Sequence, residues 1–248
     1  MAFSFPTAAL DWLLDGCGRT MLVLADSLAV PRGMVRLGFE VTTINRQFDR
    51  LRGAGDVPGL NVAVARAEAL PFDDCRFESV FVYQILPDIV PGLALPEIAR
   101  VLRPDGRLLV SHMSRDDTVP WVRRLAALMH TVDPGAMTAQ GAADVIATVQ
   151  ASKYFRDGEA HDFRHWQPVT REAMGEMVAS TPAVRNLDEL TKRRFLDAAA
   201  EIHDQTAGTA GQNTLRLPYQ LRCWRASVDQ NELTRPVFVD DPALVIKL

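Results

Sequence analysis

Leu93-Ala94-Leu95-Pro96-Glu97-Ile98-Ala99-Arg100-Val101-Leu102-Arg103-Pro104-Asp105-Gly106-Arg107-Leu108-Leu109-Val110-Ser111-His112 is the stretch whose reading decides the fold. Leu93 to Leu102 sets apolar side chains at the three- and four-residue spacing of a helix that buries one face. Arg103-Pro104-Asp105-Gly106 then stops it, because proline lacks a backbone donor and aspartate and glycine favour turns. Arg107 to His112 is a short run with an apolar centre, the pattern of a strand covered on both faces.

Working outward, the same alternation repeats. Upstream, Thr20-Met21-Leu22-Val23-Leu24 reads as a first strand, and a helix opens at Pro31 and reaches Leu37-Gly38. Glu40-Val41-Thr42-Thr43-Ile44 is dense in β-branched residues and reads as a second strand. Leu60 to Ala65 and Ser79 to Val82 repeat that signal. Ala8 to Leu14 forms a first helix capped from Ser4-Phe5-Pro6-Thr7, and Gly16 and Gly18 end it. Strands alternating with helices predict an α/β fold, a mostly parallel sheet covered on both faces.

Downstream of His112 the texture changes. Pro120 to Met129 is helical, Val132 to Gln150 is rich in alanine, glycine and threonine, and Glu159 to Trp166 reads as a strand. Helices follow over Thr170 to Ser180 and from Asp188 to about Ala207, and Thr214 to Ala226 is strand-like toward its end. Ser227 to Leu248 is an acidic, proline-containing tail that finishes on Ala243-Leu244-Val245-Ile246.

Composition narrows the function classes. The 248 residues suffice for one sizeable core. Lysine and arginine number 27 against 31 acidic residues, a formal charge of -4, which gives no electrostatic reason to expect a nucleic-acid partner. Cys17, Cys75 and Cys223 are odd in number and widely spaced, which suits neither a disulfide framework nor a metal site. No basic and apolar leader pattern occupies Met1 to Asp15, and no long uncharged apolar run occurs, so the expected setting is cytoplasmic and reducing.

Ala67-Glu68-Ala69-Leu70-Pro71-Phe72-Asp73-Asp74, followed by Glu97 to Leu108, resembles the class I S-adenosylmethionine-dependent methyltransferases of the small-molecule type. Ala9 to Gly16, Arg115 to Val122, Leu217-Pro218-Tyr219 and Cys223-Trp224-Arg225-Ala226 extend the likeness to an actinobacterial-looking branch, over about residues 5 to 226. The resemblance implies a Rossmann-like three-layer sandwich around a seven-stranded sheet with its last strand reversed. It also implies one domain over 1–226, with about 130–207 as the lid and acceptor region beyond the carboxyl edge of the sheet, and a tail over 227–248.

The same resemblance implies S-adenosylmethionine as cofactor and a small-molecule acceptor, and places Ala25, Ser27, Ala29, Asn45, Ala67, Glu68 and Gln84 at the cofactor. Several of these depart from the family pattern. Ala25, Ser27 and Ala29 occupy the places of a glycine-rich turn, and Val23 that of its acid. Asn45 stands where a carboxylate takes the ribose hydroxyls, Arg66 precedes Ala67-Glu68, and Ile85-Leu86-Pro87 follows Gln84 where the branch shows His-Trp. Losing two or three charge-assisted contacts of about 1.5–3 kcal/mol each weakens binding by roughly a hundredfold at the least. Asp15-Gly16-Cys17-Gly18 looks like the missing turn but precedes the first strand, and reads as a helix terminator.

Two functions follow. One is a small-molecule methyltransferase relative with weak or absent S-adenosylmethionine binding. The other is a non-catalytic relative that binds or scaffolds a protein partner, through Ser227 to Leu248; a homo-oligomer is compatible with either. No catalytic residue is assigned. His112 is a candidate base that reads more simply as a hydrogen-bonded strand residue. Asp26 and Arg115-Asp116-Asp117 read as turn or cap residues before any site role, and Tyr154, Phe155, Trp166 and Trp224 as packing.

Overall fold

The computed structural model describes residues 5–134, 146–211 and 213–234. Seven strands form one sheet: β1 (Thr20–Ala25), β2 (Glu40–Asn45), β3 (Leu60–Val64), β4 (Phe77–Tyr83), β5 (Leu102–Arg115), β6 (Phe155–Val169) and β7 (Leu215–Val228). Their order is β3-β2-β1-β4-β5-β7-β6, and β7 alone runs against both its neighbours. The expected mostly parallel, seven-stranded, three-layer sheet with its last strand reversed is therefore the observed one.

The continuous apolar reading of β1 has a direct structural cause. Leu22 and Leu24 enter the core on the face covered by helix α3 (Pro91–Val101), while Met21 and Val23 enter the core on the face covered by α1 (Thr7–Leu14) and α2 (Ala29–Arg36). A central parallel strand covered on both sides has no polar face to show. Gly16 ends α1 at φ +70, as a helix terminator should. Arg107 donates to the Asp15 carbonyl beside it at 2.8 Å, and on the same helix the Arg225 guanidinium carbon lies 4.5 Å from the centre of the Trp12 ring. Two stretches that carry the sequence resemblance thus meet across the chain.

The Arg103–Gly106 turn sits inside a strand rather than before it. Leu102 already pairs with Phe77, and pairing resumes at Ser79 with Arg107, so four residues loop out. Asp105 has φ 63, and a Cβ on Gly106 would stand 2.7 Å from the Arg103 carbonyl oxygen, so glycine is required there.

Beyond the carboxyl end of β5, α4 (Pro120–His130), α5 (Arg171–Ala179) and α6 (Glu189–Ala210) build a second core around Leu125, Met174, Val178 and Ala199, joined by Leu215 and Leu217 of β7. Thr170 caps α5 through Ala173 N–H, and Asp188 caps α6 through Leu190 and Thr191 N–H. Within 130–207, Phe155–Val169 belongs to the sheet as its edge strand. Ser227 and Val228 pair within β7, and Gln230 donates to the Leu102 carbonyl at 2.8 Å. The rest of the expected tail, 235–248, lies outside the described residues. Among the described residues no helix is long and apolar enough to cross a membrane.

Candidate functional site

In an open α/β sheet the ligand crevice opens where neighbouring strands send their connections to opposite sides, outside the carboxyl ends. Here that point lies between β1 and β4, since β1 pairs β2 on one side and β4 on the other. A cavity of about 300 Å³ occupies it, at the small end of ligand pockets, which run from about 300 to 1,000 Å³.

Four elements supply its walls. Ala25 closes β1, paired with Tyr83 of β4, and Asp26 follows it. Ile44 and Asn45 end β2, with Arg46, Gln47 and Arg50 on the turn beyond. Ala65, Ala67 and Glu68 come from the segment after β3, and Ile85, Asp88 and Ile89 from the segment after β4. The buried lining residues Ala25, Ile44 and Ala67 are aliphatic, while the exposed Asp26, Arg46, Arg50 and Asp88 bring charge of both signs.

Asn45 and Glu68 have partners that set their roles. Asn45 Oδ1 accepts the Gln47 backbone N–H at 2.9 Å, closing a local turn at the end of β2. Glu68 Oε1 accepts the Val90 N–H at 3.0 Å, and Arg66 stands 3.5 Å from Oε2. Desolvation works against the Glu68 charge, yet the Val90 bond and then Arg66 outweigh it and hold its carboxyl below the usual range. At Asp26 the balance is reversed. Desolvation and then Asp88 push its carboxyl up, against the pull of Arg50 and Arg46.

The seven residues expected at the cofactor divide. Ala25, Asn45, Ala67 and Glu68 line the cavity together; Ser27, Ala29 and Gln84 do not. Ser27 is exposed on the turn and Ala29 opens α2. Gln84 is at φ 65 and spends its side-chain amide on β5, donating from Nε2 to Met113 O at 2.8 Å and accepting Met113 N–H on Oε1 at 3.1 Å. No residue from Ala25 to Ala29 has a positive φ, so this turn needs no glycine. Val23, aligned with the acidic place, is fully buried within β1 between Thr43 and Phe81.

The sequence reading missed Arg46, Arg50 and Asp88. The signal available was the pair of arginines just past the second strand, four residues apart. His112 lies on β5 three residues short of its end and opposite Arg222; burial and then Arg222 lower its pKa, so it stands neutral, away from the cavity. Among the described residues no group of three or more histidine, cysteine or acidic side chains could hold a metal ion.

Comparison with known proteins agrees with this architecture. A methyltransferase-domain family model matches residues 16–110. An uncharacterized methyltransferase of Mycobacterium tuberculosis is 29% identical over 229 residues, 91% of this chain and 90% of that one. The ubiquinone/menaquinone biosynthesis C-methyltransferase of Pasteurella multocida is 37% identical over 95 residues, 38% of this chain and 31% of that protein. Among solved structures, one described as a type II methyltransferase from Anaeromyxobacter dehalogenans superposes with a TM-score of 0.65 at 18% identity, covering 92% of this chain and 98% of that one.

Proposed function

From the premise that the chain is a member of the class I methyltransferases, we propose that its β1–β4 cavity is a nucleoside site in which S-adenosylmethionine binds weakly or not at all. The observation that carries this reading is Asn45. It stands at the end of β2, where a carboxylate would take the ribose hydroxyls, and its only side-chain oxygen already accepts the Gln47 N–H. A neutral amide so engaged lacks the charge-assisted acceptor worth about 1.5–3 kcal/mol. The β1 turn adds to this: Ala25 and Asp26 line the cavity where bare glycine backbone would otherwise approach the ligand. The residues present do not fit the cofactor, so no transfer step is derived through it.

Titration calorimetry with S-adenosylmethionine and S-adenosylhomocysteine tests the reading. Dissociation constants weaker than about 100 μM are expected, and low-micromolar values overturn it. Asn45→Asp keeps the bond to Gln47 N–H and adds a second, charged oxygen, so it should tighten S-adenosylhomocysteine binding by about tenfold or more.

A second reading, a binding subunit for a protein partner, is favoured by the sheet edge at β3. Phe48, Val62 and Val64 are 68%, 43% and 55% exposed there. Val62→Lys with Val64→Lys should abolish self-association or partner capture; unchanged sedimentation and an unchanged partner set would remove this reading.

A further inference from the structure

Arg46 and Arg50 line the cavity at the end of β2, and Asp26 and Asp88 line it at the ends of β1 and β4. Among the described residues these four make no ion pair and no side-chain hydrogen bond with one another or with any other group. The arginines do act on Asp26 through space, so the charges face each other across the opening without closing it. Oppositely charged side chains this near would be expected to pair directly unless the backbone holds them apart. Here they stand exposed on the segments that follow β1, β2 and β4, so a ligand entering the cavity meets them unspent on other side chains.

Their placement says which end of a ligand is anionic. In doubly wound sheets the end of the second strand meets the ribose hydroxyls, where an acid reads a free diol and an arginine accepts a phosphate on that sugar. This chain has the neutral Asn45 there, then two arginines. The turn after β1, which in such folds cradles phosphates on the 5′ side, carries Asp26 facing Asp88 and would repel them. Resting on the nucleoside-site reading above, we propose that the cavity takes a nucleotide phosphorylated on the ribose 2′- or 3′-hydroxyl, its phosphate held by Arg46 and Arg50. The guanidiniums bind the phosphate through paired N–H donors, and Asn45 no longer opposes it with a like charge.

The test is calorimetric titration of the full chain with adenosine, its 2′-, 3′- and 5′-monophosphates, and inorganic phosphate. The 2′ or 3′ isomer is expected to bind at least about tenfold more tightly than adenosine or the 5′ isomer, and more weakly as salt is raised. Arg46→Gln with Arg50→Gln should erase that preference while leaving the circular dichroism spectrum unchanged. Adenosine binding with no preference among the phosphates, or a preference that survives the double variant, overturns this inference and leaves the nucleoside site standing. Inorganic phosphate binding as tightly as the nucleotides also overturns it. Failure of every adenosine compound to bind overturns the nucleoside reading and this inference together.

Discussion

Arg100 lies one turn beyond Glu97 on α3 and takes both of its carboxylate oxygens, Nε to Oε1 at 2.8 Å and Nη2 to Oε2 at 2.9 Å. The pair also fastens the segment after β3. Leu70 N–H donates to Glu97 Oε2 at 2.8 Å, while Arg100 donates to the carbonyls of Phe72 at 2.8 Å and Leu70 at 3.0 Å. The two stretches that carry most of the sequence resemblance are therefore one clamp, and Ala67 and Glu68 reach the cavity wall because it holds.

Arg100→Ala should cost about 2–3 kcal/mol, since it removes the charged donor that Glu97 and the Leu70 and Phe72 carbonyls share. Arg100→Lys should recover little, because one ammonium cannot span a carboxylate and two carbonyls at once. Urea unfolding measures both. A loss under about 1 kcal/mol for Arg100→Ala would mean water replaces the clamp at no cost.

Acid should unfold the protein through the same groups. The Arg100 bond foremost, with Leu70 N–H and against desolvation, holds Glu97 below its ordinary value; the Thr20 N–H and then the Thr20 hydroxyl do so for Glu78. Carboxylates depressed in the native state contribute stability above the unfolded-state pKa of about 4.3, and lose it as pH falls through their native values. The unfolding midpoint should be flat near neutrality and fall steadily below about pH 5. Glu97→Gln should lower it at neutral pH and shallow the acid limb. An acid limb as steep as that of the unsubstituted chain would clear Glu97 of this role.

Gly18 should not tolerate a side chain. Its Cβ would collide with the Glu78 carboxyl, 2.6 Å from Oε2, and Glu78 Oε2 accepts Thr20 N–H at 2.9 Å and its hydroxyl at 3.0 Å. Gly18→Ala must displace the carboxylate that ties the starts of β1 and β4 together, so a loss of about 1–3 kcal/mol is expected on thermal unfolding. Gly92→Ala, with nothing within 4 Å of the added atom, is the matched control.

The cysteines should react in order of access. Cys75 is exposed, Cys17 is half-buried with its thiol pushed up by burial, and Cys223 is buried and pushed up to about 12. Iodoacetamide labelling followed by mass spectrometry should mark Cys75 first and Cys223 only after unfolding. Native-state labelling of Cys223 would show that the β5–β7 region opens.

Where neighbours in sequence are also neighbours in space, the reading from residues worked. The α3 helix, its turn and the core of β5 were legible because helix spacing, a Pro-Asp-Gly stop and an apolar run are local signals. β6 was legible only in part, at Glu159 to Trp166. Between its buried ends, Phe155 and Val169, it is mostly exposed, and its full length is defined by the ladder that β7 supplies. An edge strand held mainly by backbone bonds leaves little trace in its side chains.

The candidate site divides in the same way. Ala25, Asn45, Ala67 and Glu68, which the resemblance places at one ligand, line one cavity. The sequence alone determined the alternation of strands and helices and the motifs at the strand ends, because each depends on residues close in the chain. Only the tertiary structure decided that Gln84 is spent on Met113, that Val23 is buried, and that Arg46 and Arg50 confront Asp26 and Asp88. The sheet order β2-β1-β4 brings those charges to one opening, and strand order is a property of the whole chain that no short stretch encodes.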